Sequence, residues 1–274
     1  MTGDVAEPPA APGISGLGPA GTTSTARIYN YLLGGKDNNA ADRQAAEQLL
    51  RALPDAGLVA KANRAFMAAA VRRVAANGVT QFLDIGPGFP ATPNVHESAR
   101  SAAPGARVAY VDHDQEVVAR TRELLADDDL VTAFSGDAGD IGAILADPQL
   151  GSLIDLAEPV CVLFVSVLHF VAPAQADATV AAVRERIAPG SYLVISAGCN
   201  NEQNEPAQGL VQAAYSSGTL LAGRPAAEVA AYFGDFQLLP PGLVQVTDWP
   251  NGPAAGSRKL MMADMLAGVA RKPG

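Results

Sequence analysis

The stretch Phe82-Leu83-Asp84-Ile85-Gly86-Pro87-Gly88 decides how the rest of the chain is read. Residues 79–85 form a short buried strand in this reading, apolar except for Thr80, Gln81 and Asp84. The strand stops at two alternating glycines and a helix follows. That arrangement opens a crevice at the carboxyl edge of a parallel sheet. Glycines let the backbone approach a ligand closely, because no Cβ intervenes. A dinucleotide site wants a third glycine and places a pyrophosphate on the helix N-terminus. Here the run continues Phe89-Pro90-Ala91 instead. Asp84 would also repel an anion, whereas it would tolerate a ligand that carries an ammonium and no phosphate. The alternative is an ordinary tight turn between strand and helix.

Composition limits the remaining choices. The 274 residues suit one α/β domain with insertions. Apolar residues make up 49% and charged residues 17%, enough for a sizeable core. The net charge of −9 disfavours nucleic-acid and membrane partners, and no basic patch offsets it. Cys161 and Cys199 lack C-x-x-C spacing, which points to reduced thiols, a cytoplasmic location and no metal site. No apolar run is long enough to span a bilayer, and no signal peptide is expected.

Residues 1–23 are rich in Ala, Pro, Gly and Thr and read as a disordered tail. Residues 24–78 read as a helical N-terminal segment, and residues 79–274 as the core. A first helix ends near Gly34-Gly35, a second covers residues 40–53, and a third covers residues 58–77. Asn63 and Arg64 are taken as surface residues of that third helix. The segment is either a cap on the sheet or a lid over a ligand. Tyr29, Tyr31, Lys36, Asp37 and Asn38, gathered around the two glycines, favour the lid. Lys36 or Arg27 would then supply a positive charge to a bound carboxylate, and Asn38 would hold the loop or touch the ligand.

After the glycine turn, Thr92 is expected to cap a helix that starts at Pro93, with His96 in its first turn. Residues 106–111 form the second strand and lead to Asp112, His113 and Asp114. An acid roughly 20 residues beyond the glycine turn accepts hydrogen bonds from ribose hydroxyls. Asp112 takes that role, and Asp114 caps the helix over residues 115–125. The third strand, residues 131–134, runs into Asp137 and Ala138, where a carboxylate can accept from an adenine amine; the alternative is a Gly/Asp turn. Residues 160–170 are continuously apolar, as in a central strand buried on both faces, and end in Ser166 to His169. His169 therefore sits over the crevice and is the candidate catalytic base, with His96 as the other histidine available. A helix over residues 173–187 and a fifth strand over 192–196 follow. Residues 197–224 read as an insertion, helical over 206–215. A helix over 225–232 leads to a strand near Leu239. Residues 242–249 and 259–269 then close the sheet as an antiparallel pair. Together, Asp84, Gly86, Gly88, Asp112 and Asp137 suit S-adenosylmethionine (SAM), which carries an ammonium, a ribose and an adenine but no phosphate.

Eight motifs in order carry a family resemblance: RIYNYLLGGKDN from Arg27, KANRAF from Lys61, QFLDIGPG from Gln81, NVHE from Asn94, YVDHD from Tyr110, VLHFV from Val167, APGSYLV from Ala188 and PPGLVQV from Pro240. The chain resembles class I SAM-dependent methyltransferases. More narrowly, it is similar to the S-adenosyl methyltransferase family first catalogued as a domain of unknown function. The likeness spans residues 25–272. Ala197 departs from the family pattern, in which a histidine commonly follows the serine of the fifth strand. The resemblance implies a Rossmann-like α/β fold: a seven-stranded, mostly parallel sheet with an antiparallel last strand. It implies SAM as cofactor, held by Asp84, Gly86, Gly88, Asp112, His113, Asp137, Ala138, Ser166, Lys36 and Asn38. The expected activity is methyl transfer to a small molecule whose identity stays open, as does the oligomeric state. The rivals are a non-catalytic SAM-binding protein and, further off, an NAD-dependent oxidoreductase.

Overall fold

The computed structural model describes residues 22–200, 212, 221–249 and 264–274. Most of the tail, most of the helix expected over 206–215, the loop over 250–256 and the first residues of the closing strand lie outside these.

The centre of the fold is β1 (Gln81–Ile85), buried at every position. It pairs in parallel with β2 (Arg107–Asp112) on one side and β4 (Cys161–Val165) on the other. β3 (Val131–Ser135) extends the sheet beyond β2, and β5 (Tyr192–Gly198) extends it beyond β4, both in parallel. β8 (Met265–Arg271) runs antiparallel to β5. The outermost strand is split into β6 (Gln237–Leu238) and β7 (Val244–Gln245), both paired with β8, so the order is β3-β2-β1-β4-β5-β8-β6 with β7 on the same partner. The break has a chemical cause. Pro240 and Pro241 have no N–H for the ladder, and the chain turns back through Gly242 at φ +92°. Leu238 pairs with Ala270 and Val244 with Ala267, so the loop carries three more residues than β8 does.

Side chains alternate across the sheet. Leu83, Ile85, Phe134, Phe164 and Ile195 face one layer. Four helices there, α6 (Ile141–Leu145), α7 (Pro148–Leu153), α8 (Pro173–Arg186) and α9 (Ala226–Ala231), contribute Ile144, Leu150, Val180 and Val229. Phe82, Val108, Leu163 and Val194 face the other layer. Gln81, at the start of the central strand, is 1% exposed yet fully satisfied. Its amide binds the backbone of Asp155 and accepts from Arg107.

The second layer is built on α3 (Ala56–Ala76), whose Phe66, Met67, Val71 and Val74 pack on the sheet. α4 (Val95–Arg100) and α5 (Gln115–Leu124) complete it. α4 starts later than expected. Asn94, not Thr92, precedes it, and the Glu97 carboxylate accepts from the Asn94 N–H. Arg64 takes the carbonyls of Ala91 and Pro93 and so keeps these residues outside the helix. Arg64 is therefore a bridging residue, and Asn63 is 1% exposed; neither is the surface residue expected.

At the N-terminus, α1 (Thr25–Leu32) and α2 (Ala40–Ala52) form a small cluster of their own, with Ile28, Ala46 and Leu49 packed against Ala56 of α3. α3 thus belongs both to this cluster and to the sheet. Asp42, fully buried, ties the cluster together. Its carboxylate accepts from the Ser24 and Asn39 backbone N–H groups and from Arg27 Nε at 2.8 Å. Arg27 reaches on to Glu116 of α5 at 2.7 Å, and Ser24 Oγ donates to Asp114 at 2.9 Å. Removing one partner of a buried ion pair leaves the other uncompensated, at a cost of about 3–5 kcal/mol. Arg27→Met is accordingly expected to lower the unfolding free energy by about 3–5 kcal/mol in urea titration. A loss below about 1 kcal/mol would show that the pair does not anchor α1.

Candidate active site

The carboxyl ends of the parallel strands open into a cavity of about 410 Å³, within the usual range for small-molecule sites. Its floor begins at the β1 turn. Gly86 and Gly88 adopt φ +71° and +66°, a region that side-chain-bearing residues rarely enter. A Cβ on Gly86 would stand 2.5 Å from Val167. The turn is joined to the next strand by Asp112, whose carboxylate accepts the Gly88 N–H at 3.1 Å and the Asp114 N–H at 2.9 Å. Burial raises the Asp112 pKa, while the two backbone N–H bonds favour its charged form. Asp114 caps α5 as expected, accepting from the Glu116 N–H at 3.0 Å.

Of the residues expected at the site, Gly86, Gly88, Asp112, His113, Asp137, Ala138, Ser166 and His169 all line this cavity. One oxygen of Asp137 closes a turn by accepting the Gly139 N–H at 2.8 Å. Four expected residues, Lys36, Asn38, Arg27 and Asp84, do not line it. Lys36 is exposed and is not among the lining residues. The Asn38 amide donates to Asn30 and to the Gly35 carbonyl and accepts from Arg43, so it locks the loop. A Cβ on Gly35 would meet the Asn30 amide at 2.4 Å, which explains the glycine. Arg27 is taken up by Asp42 and Glu116 and also stays away from the cavity. The polar density of Arg27–Asn38 therefore serves mainly to bind the loop and helices to each other.

Asp84 is the fourth departure. Strand alternation points it to the α3 and α4 side, into a small cavity shared with Arg64, His96 and Tyr110. Burial raises its pKa to about 7, Arg64 opposes that shift and Asp112 adds to it. His96 belongs to the same cluster: its Nδ1 lies 2.8 Å from the Tyr110 hydroxyl. It does not reach the main cavity.

His169 follows β4 in a short 3₁₀ turn (Leu168–Phe170) and is 6% exposed. The Gly198 N–H donates to its Nδ1 at 3.3 Å. A neutral ring that accepts at Nδ1 carries its proton on Nε2. Burial lowers its pKa to about 4. Sequence reasoning missed the apolar wall supplied by Leu49, Leu53, Ala56 and Val59 from the N-terminal helices. Their helical spacing was visible, but the face they would cover was not.

The cavity fits a cationic, ribose-bearing ligand. Asp112, Asp137 and Asp264 line it, and no Lys or Arg does among the described residues. Fold and site together define a Rossmann-like protein of the methyltransferase type. The chain belongs to the S-adenosyl methyltransferase family, whose model matches residues 20–273. A candidate methyltransferase from Thermobifida fusca, known as a crystal structure, is 34% identical with a TM-score of 0.87, over 93% of this chain and 97% of that one. A DUF574-family protein from Streptomyces avermitilis is 37% identical with a TM-score of 0.83, over 92% and 98% of the two chains. The SAM-dependent methyltransferase SibL, in its apo form, shares the fold at a TM-score of 0.50 and 16% identity, over 91% and 70%. No curated protein matches the chain. The protein is thus a SAM-dependent methyltransferase, and the oxidoreductase and non-catalytic alternatives find no support.

Asp112→Ala tests the ribose position. A hydrogen bond to a charged group contributes roughly 1.5–3 kcal/mol. S-adenosylhomocysteine should therefore bind about 10- to 150-fold more weakly by calorimetry, with the fold intact by circular dichroism. An unchanged dissociation constant would move the ribose site elsewhere.

Proposed function

We propose that the protein transfers the methyl group to an uncharged, largely apolar small molecule, and that it acts in the cytoplasm. One observation carries the reading: the residues that line the cavity come from two unlike groups, with Asp264 and Asn200 among the polar exceptions in the second. Gly86, Gly88, Asp112, Asp137 and Ala138 lie at the ends of β1, β2 and β3, which are adjacent in the sheet. In this reading they hold the cofactor, with Asp112 on the ribose and Asp137 and Ala138 beside the adenine. The second group has Leu49, Leu53, Ala56 and Val59 from the N-terminal helices, and Val167 and Met265 near the ends of β4 and β8. An anionic acceptor would find no Lys or Arg among the described lining residues. Residues 24–53 act in this reading as the lid that keeps water from the reacting atoms. Cys161 and Cys199, both buried and without C-x-x-C spacing, agree with a reducing compartment in this reading.

The bound cofactor supplies an already activated methyl group on a sulfonium. The chain's task is then mainly to hold the acceptor in line with it, which can contribute about 7–11 kcal/mol. His169 serves that purpose as a donor. With Nδ1 engaged by Gly198 and the ring neutral, Nε2–H can hold the acceptor but cannot take its proton. The base role expected for His169 is replaced here by a positioning role.

Two measurements check this. With methyl-labelled cofactor, label should move to apolar phenols or aromatic amines, which are uncharged near pH 7 and whose displaced proton passes to water, and not to their carboxylated counterparts. Exclusive labelling of anionic acceptors, protein or nucleic acid would overturn the reading. Since the His169 pKa is lowered to about 4, the ring stays neutral from pH 5.5 upward and should add no inflection near its ordinary value. A pH–rate profile that bends near pH 6.5 in the parent and loses the bend in His169→Asn would restore the base role.

A further inference from the structure

We propose that Asn63 is a positioning residue that couples the α1 helix above the cavity to the end of β4 below it. Ser166 is the starting point. It is the one non-glycine residue with positive φ, +62°, among the described residues, and it lines the cavity. An L-residue in this conformation costs roughly 1–2 kcal/mol, so something must hold it. Its N–H donates to the Ser196 carbonyl at 3.0 Å and to Ser196 Oγ at 3.0 Å.

Beyond this N–H the donors all point the same way. Ser196 Oγ accepts from Ser166 and gives its own proton to Asn63 Oδ1 at 2.6 Å. The Asn63 amide must then present its NH₂ to α1. Nδ2 donates to the Tyr29 hydroxyl at 3.0 Å. Tyr29 in turn donates to the Ala60 carbonyl at 3.1 Å. The four hydrogen bonds form one directed chain, in which each bond polarises the next.

The middle of the chain is closed to water: Ser196 is 0% and Asn63 1% exposed. A buried donor or acceptor left unpaired is costly, so partial arrangements are disfavoured. Both ends of the chain lie in the cavity wall, Tyr29 from α1 and Ser166 just after β4. The relay therefore joins the roof of the site to its floor. The height of α1 over the cavity and the strained peptide at Ser166 move together.

The test is a double-mutant cycle. Tyr29→Phe and Ser196→Ala each remove one hydroxyl and nearly preserve shape. Each should weaken S-adenosylhomocysteine binding about 2- to 10-fold, the range for one hydrogen bond. Because the relay fails as a unit, the double variant should be no weaker than the worse single one. Asn63→Leu should match the double variant, and adding Tyr29→Phe to it should change nothing further. In the ligand-free protein, hydrogen exchange at the Ser166 amide should quicken in Tyr29→Phe, although Tyr29 does not touch Ser166. This second readout holds even if the cofactor assignment fails, since it needs no ligand. It also keeps the proposal falsifiable should Asn63→Leu not fold. Losses that multiply in the double variant, together with unchanged Ser166 exchange in Tyr29→Phe, would overturn the proposal. So would a fall in melting temperature with affinity and exchange both unchanged.

Discussion

The bond from the Gly88 N–H to the Asp112 carboxylate is the constraint on which this site rests. It fastens the turn after β1 to the end of β2, so two adjacent strands deliver their functional groups at a fixed spacing. The turn can exist only because Gly86 and Gly88 enter the left-handed region, and because nothing larger than hydrogen fits between Gly86 and Val167. From there the parallel sheet does the rest. Strands about 4.8 Å apart set Gly86, Asp112 and Asp137 in a row along one edge. On the sheet, the other lining group is left to β4, β5 and β8.

The N-terminal helices matter for a different reason. They do not reach the cavity with charge. Arg27, Asp42 and Ser24 are turned toward each other and toward α5, through Arg27–Asp42, Arg27–Glu116 and Ser24–Asp114. What they offer the cavity is an apolar wall. That division is physically reasonable. Long charged side chains over a site would need desolvation, whereas leucine and alanine exclude water without that cost. The buried network fixes where the wall stands.

Asp84 shows how an acid inside a glycine motif can be placed away from the main cavity. Its neighbours Leu83 and Ile85 face the layer of α6 to α9, so period-two alternation sends Asp84 to the α3 side with Phe82. There burial raises its pKa, and the Arg64 guanidinium limits the shift. The same cluster captures His96 through Tyr110. Two residues that looked like ligand contacts are thus accounted for by the packing behind the turn.

Much of this was legible in the sequence alone. The strand that ends in two glycines, the acids at Asp112 and Asp137 and the apolar run before Ser166 follow from local pattern, and local pattern is what fixes a parallel α/β sheet. The capping of α5 by Asp114 was equally local. The helix at Pro148 went unread, although Asp147 before a proline is a helix-start signal. Other features needed the third dimension. Whether Asn63 is buried depends on which side of α3 meets Ser196, 133 residues away. The partners of Arg27 and the direction of Asp84 depend on contacts between distant elements or on which sheet face each layer covers. Sequence spacing determines which residues share a strand end or a helix face. Only tertiary packing decides which of those faces meets the cavity, because that choice is made by the neighbour and not by the residue itself.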